Sequence, residues 1–303
     1  MILDARGEKG TKAMKFRNSY HPYAAVTIIF WSLAYVLTRL TLQYFTPFSL
    51  GFLRYFIASC VLALVAVRMK MKPPHKADLP WFLAAGGVGF FLYMIAFNQG
   101  QATVTAATGS VVIATVPVMT AILARIVYRE KLRVFQWVAI MIEFTGVIVL
   151  TLIDGVLSFN TGMLWLFLAA LALSTYNLLQ RKLTKSYTAL QTSTYSIFFG
   201  TILLVIFAPV SFQEVARAPV IQIVYLLILG TCSSAIAYVS WAMAFSKAKK
   251  TSQVSNYMFI TPFLTSVLGF LMAGEVPDRG TLIGGGIILM GVLMFIFSAE
   301  KSG

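Results

Sequence analysis

Polar side chains recur along the first apolar run at helical spacing: Trp31, Ser32, Tyr35, Thr38 and Arg39 fall three and four residues apart and share one stripe. On an otherwise apolar helix such a stripe either faces a wet crevice and bonds a solute, or bonds backbone and holds helices together. A second stripe, Ser174, Asn177, Gln180 and Arg181, has the same phase. Tyr93 with Asn98, and Tyr238 with Trp241, add aromatic faces with polar tips, which suit planar or amphipathic solutes through stacking or cation–π contact. Ser110 and Thr115 stand just before Pro117, and Ser255, Asn256, Tyr257 and Thr261 just before Pro262. Proline removes a backbone donor and frees a carbonyl, so both helices are expected to bend or break there, for packing or to line a path. The residues expected to contact a solute are thus Trp31, Tyr35, Tyr93, Asn98, Ser110, Asn177, Tyr238, Trp241 and Asn256.

Two charges lie within apolar runs and are candidates for coupling. Glu143 sits near the middle of its run, where an ionised carboxylate without a partner costs on the order of 2.5–3.5 kcal/mol. It must be protonated, paired or wet, and is expected to titrate and couple solute movement to protons, or else to mark a dimer contact. Arg54, roughly 10 Å inside its helix at 1.5 Å per residue, could pair with it if the two helices adjoin. Arg39 and Arg181, near the last turns of their runs, are read as snorkelling or neutralising a helix C-terminus. His21 and His75 stand alone in polar segments and Cys60 and Cys232 in apolar ones, so no metal site, disulfide framework or cofactor is implied. The glycine runs at 86–89 and 284–291 have no preceding strand and read as close helix packing, not phosphate loops.

The elements that must hold these residues follow from composition. With 303 residues, 59% hydrophobic, 11% charged and a mean hydropathy of +0.82, the chain has more apolar side chain than a soluble domain can hide. Runs of helical length are expected near 23–43, 48–67, 80–99, 104–127, 132–152, 161–182, 190–210, 220–244, 254–273 and 281–298. The net charge of +14 reads as topology, not as nucleic-acid binding, because alternate connections carry 20 and 2 of the 24 Lys and Arg. That bias expects both termini in the cytoplasm, with tails at 1–22 and 299–303, and a multi-pass protein of the plasma membrane.

The chain also repeats itself. Tyr93, Ser110, Pro117, Thr120, Glu130 and Gly146 are matched at a constant offset by Tyr238, Ser255, Pro262, Thr265, Glu275 and Gly291. At an offset three residues shorter, Ser32, Arg39 and Thr46 match Ser174, Arg181 and Thr188. Units of five spans, 23–155 and 156–298, must insert in opposite senses because five is odd. The expected fold is an all-α membrane protein of ten transmembrane helices in two inverted five-helix repeats, an architecture suited to alternating access.

The segments FWSLAYVLTRLTLQYFTPFSLGFLRYFIASCVLAL (30–64) and GQATVTAATGSVVIATVPVMTAILARIVYREKLRVFQWVAIMIEFTGVIVL (100–150), echoed by 251–295, resemble the EamA domains of the drug/metabolite transporter superfamily. The resemblance implies a permease or exporter of amino acids, aromatic metabolites or drug-like solutes, with spans one, three, four, six, eight and nine around the cavity and five and ten peripheral. It also matches Arg54 to an arginine common in the family's second helix. Expected partners are a small-molecule substrate, the lipid bilayer and a coupling proton, with no nucleic acid, in a monomer or homodimer. The alternatives are an importer of the same fold and a membrane-embedded lipid-modifying enzyme; the latter would need clustered intramembrane acids or histidines.

Overall fold

The structure, a computed structural model, describes residues 19–130, 132–152, 161–276 and 279–300. The expected tail up to residue 18, the junction of the halves at 155–156 and the chain end from 301 lie outside the described residues. Among the described residues, ten helical stretches follow one another: α1 His21–Thr41, α2 Pro47–Arg68, α3 Lys76–Gln101, α4 Ala106–Tyr128, α5 Val134–Leu152, α6 Thr161–Leu183, α7 Ala189–Arg217, α8 Val220–Lys247, α9 Thr251–Ala273 and α10 Arg279–Glu300. Among the described residues, eight of these (α1 to α4 and α6 to α9) are long and apolar enough to cross a membrane. Large apolar side chains such as Ile29, Leu64, Val67, Ile126, Val220 and Leu271 point outward, as lipid-facing surfaces require.

Local chemistry sets the helix ends. Thr46 caps α2 through its Oγ1, which accepts from Ser49 N at 3.3 Å, with Pro47 in the first turn. Thr188 caps α7 in the same way, with Gln191 completing a capping box. At their other ends α4 and α9 both finish on a left-handed residue, Arg129 at φ 54° and Gly274 at φ 66°. The following amides, of Glu130 and Glu275, then reach back to Ala124 O and Gly269 O.

Two departures from straight α-helix occur in both halves. α4 breaks at Ala114–Thr115, directly before Pro117; α9 narrows to a 3₁₀ stretch at Asn256–Ile260, directly before Pro262. Each proline occupies the first turn of the segment that follows, where its missing N–H costs least. α3 and α8 each widen to π-helix, at Gly87–Leu92 and Leu229–Ile236. Beside the first of these, Gly89 admits a ring that no side chain would allow, since a Cβ there would stand 2.3 Å from Tyr176 Cδ2.

Helix packing follows one rule of exchange. α1 packs on α8 and α9, and α6 packs on α3 and α4; α2 packs on α8 as α7 packs on α3. α2 with α7, and α5 with α10, pair across the middle. Several buried hydroxyls donate to their own helix, as Thr41 does to Leu37 O at 2.7 Å and Ser266 to Pro262 O at 2.8 Å, while others bridge helices, as Ser193 does to Tyr238 O at 2.8 Å.

Candidate functional site

A narrow pocket lies among α1, α2, α3, α8 and α9, lined by Trp31, Ala34, Tyr35, Arg54, Tyr93, Phe97, Tyr238, Met258 and Thr261. In this conformation it admits nothing larger than water. Its walls are aromatic: Trp31 meets Tyr238 at 5.1 Å between ring centroids, Tyr35 meets Phe97 edge-on at 5.2 Å, and Tyr93 stacks on Phe97 at 5.6 Å. Helix geometry explains the grouping, because Trp31 and Tyr35, and likewise Tyr93 and Phe97, are four residues apart on one face. Arg54, 3% exposed, is the charged residue of this lining, and its Nε donates to Ser234 Oγ at 2.8 Å.

Of the residues expected to contact a solute, Trp31, Tyr35, Tyr93 and Tyr238 therefore share one pocket, and Arg54 joins them. The others go elsewhere. Asn177 donates to Thr120 Oγ1 at 3.2 Å and accepts from Trp241 Nε1 at 3.0 Å, a buried chain behind the lining in which Trp241 packs on Trp31. Asn98 donates to Pro47 O at 2.8 Å and ties α3 to α2. Ser110 donates to Ala107 O of its own helix at 2.6 Å. Asn256 is buried in the 3₁₀ stretch of α9, with neither side-chain polar atom bonded.

Sequence reasoning missed Ala34, Phe97, Met258 and Ser234. Phe97 was within reach, one turn beyond Tyr93; Met258 lies in the interrupted stretch that Pro262 announces. Ser234 had only its position in a short polar run of α8 to mark it.

Glu143 and Arg54 do not meet. α5 packs on α10, away from α2, and the Glu143 carboxylate is fully buried there with neither oxygen bonded. Gly291 makes the room, since a Cβ at that position would stand 2.4 Å from Glu143 Cγ.

The two ends of the bundle differ. At one, Arg181 of α6 donates to Phe245 O and Ala248 O at 2.6 and 2.5 Å and to Lys249 O at 2.6 Å. Glu130 Oε1 accepts from Thr251 N and Thr251 Oγ1 at 3.2 and 2.7 Å, and Gln253 Oε1 accepts from the amides of Lys249 and Lys250. At the other, Arg39 donates to Ala102 O at 3.3 Å. Both arginines thus serve the C-terminus of a neighbouring helix, α8 or α3, and not only their own.

The sequence profile of the EamA-like transporter family matches residues 19–152 and again 160–297. The chain belongs to this family, a class of multi-pass membrane transporters. It is 30% identical over 272 residues to the Bacillus subtilis protein named "Uncharacterized transporter YdfC", covering 89% of each chain. It is 28% identical to a "Probable terminal-alkyne amino-acid exporter" of Streptantibioticus cattleyicolor, over 89% of this chain and 90% of that one. To an "S-adenosylmethionine uptake transporter" of Rickettsia prowazekii it is 26% identical, over 84% of each. A chain of known crystal structure superposes with a TM-score of 0.67 at 16% identity, over 91% of this chain and 98% of that one, a likeness of fold.

Proposed function

We propose that this chain is a secondary transporter that carries a small metabolite, of the amino-acid, aromatic or drug-like class, across the plasma membrane by alternating access and in the outward direction. The reading takes α1–α10 as ten spans in two inverted repeats, 23–155 and 156–298, with both termini in the cytoplasm. It is supported by the features that recur when the halves are exchanged: the proline breaks, the π-helical stretches, the left-handed ends at Arg129 and Gly274, and the reciprocal packing of α1 on α8 and α6 on α3. The names of the relatives add an amino acid and an amino-acid derivative as cargoes of related chains, in an exporter and an uptake protein respectively.

The observation that carries the proposal is an aromatic pocket in mid-bundle, with unequal sets of bonds at the two ends of the bundle. Two similar packings that exchange the roles of the halves would open it first to one side and then to the other. The Arg181 end is the closed gate of the present conformation. Counterflow of labelled amino acids, aromatic metabolites and drug-like solutes in proteoliposomes tests the function: accelerated exchange of at least one class is expected, and no exchange across the whole panel refutes it. Tags on both termini must report the same side of the membrane.

Proton coupling is proposed to run through Glu143, which has a buried carboxylate without partners. Glu143→Gln should abolish uphill transport driven by a pH gradient while sparing counterflow. Intact pH-driven transport by a normally expressed variant removes Glu143 from coupling and leaves it as a packing or dimer residue.

A further inference from the structure

We infer that the pocket selects monocarboxylates, with Arg54 holding the carboxylate and the aromatic walls holding an apolar body; this rests on the pocket being the transport site. Arg54 is 3% exposed and lines the pocket, and its Nε is committed to Ser234 Oγ at 2.8 Å. Guanidinium offers five donors, and among the described residues no other hydrogen-bond acceptor takes one from Arg54. A buried cation without a counter-charge is unfavourable, and the pocket lining contains no Asp or Glu to balance it.

The Nε anchor leaves the two terminal nitrogens as a planar fork, the shape that takes a carboxylate through two parallel bonds. One unbalanced positive charge calls for one negative charge, which favours a monoanion over a phosphate dianion. It also disfavours permanent organic cations, which would face Arg54 with no acid beside them. A second orphan group lies in the same lining: the Thr261 hydroxyl is buried without a partner, at the start of the segment that Pro262 opens. Trp31, Tyr35, Tyr93 and Phe97 supply faces for a ring or alkyl body, so a ligand with an acid at one end and an apolar group at the other satisfies both halves of the site.

The test is calorimetric titration of the purified full chain with 3-phenylpropionate, its neutral amide 3-phenylpropionamide, and phenethylamine. The acid is expected to bind at least about tenfold more tightly than the amide, and phenethylamine more weakly still. Arg54→Gln should erase the preference for the acid while leaving amide binding in place. Arg54→Lys should restore part of it, because it keeps the charge and loses the fork. Ser234→Ala should weaken acid binding by a smaller factor, since it frees Nε without removing the cation.

The inference is overturned if the wild-type chain binds amide and acid alike, if it binds neither, or if a folded Arg54→Gln variant keeps the preference. The comparison of acid with amide on the wild-type chain needs no variant, so a misfolded one leaves the test intact. Acid-selective binding without counterflow would sink the transporter reading and spare the carboxylate; equal counterflow of acid and amide would do the reverse.

Discussion

The two ends of the bundle are built from matching residues, yet their arginines are bonded unequally. Arg181 and Arg39 occupy equivalent positions in the two halves, as do Glu130 and Glu275. Both arginines are half-buried, but Arg181 donates to three carbonyls at 2.5–2.6 Å, whereas Arg39 donates to one at 3.3 Å. The position that holds Thr251 beside Glu130 holds Ala106 in the other half, which offers no hydroxyl to match that of Thr251. A small sequence asymmetry thus biases a nearly symmetric device. Charge-assisted bonds contribute about 1.5–3 kcal/mol each, and about 1.4 kcal/mol changes an equilibrium tenfold, so under the proposed alternating access a few such bonds would decide which end is shut.

That comparison breaks first at Arg181. Arg181→Ala removes three bonds, and even half of their sum shifts the two-state ratio by a factor of roughly 40 or more. A cysteine replacing Met258, in a background where Cys60 and Cys232 are alanine, should then react with an impermeant maleimide from the Arg181 side. Unchanged labelling would mean that this cluster does not gate the pocket. A smaller effect is expected of Thr251→Val, which loses one hydroxyl bond to Glu130: about 1 kcal/mol, or a fivefold shift in the same labelling ratio. The opposite change, Ala106→Thr, gives Glu275 the missing hydroxyl and should favour closure of the Arg39 end by a few-fold, read as faster labelling from the Arg181 side. Least of all should come from Arg39→Ala. Its single long bond is solvent-exposed and contributes less than about 1 kcal/mol, so thermal unfolding and labelling should both stay close to wild type; a large loss would show that the Arg39 end is fastened as firmly as the other.

Much of the architecture was legible because it rests on local chemistry. Apolar runs of membrane-crossing length announce α1–α4 and α6–α9 whatever their neighbours. Pro117 and Pro262 mark the breaks in α4 and α9, since a missing N–H acts on its own helix. Helical spacing also placed Trp31 and Tyr35 together, and a constant offset linked Tyr93 to Tyr238, four of the rings that line the pocket. Less was legible where the outcome depends on which helix adjoins which. Asn98 and Asn177 had the chemistry of solute ligands, but Pro47 and then Thr120 with Trp241 claim them first. Arg54 and Glu143 had opposite charges at plausible depths, and α2 and α5 do not adjoin.

Residue order alone determined that helices would cross a bilayer, where they would break, and which positions would recur in the two halves. These follow from hydropathy and backbone chemistry within a few turns. Tertiary packing alone decided that Tyr35 faces the pocket while its counterpart Asn177 is bonded behind it, and that Arg54 meets Ser234 with no acid at hand. Repetition makes two polar stripes nearly equal, and only contacts between distant helices determine which of them faces the pocket.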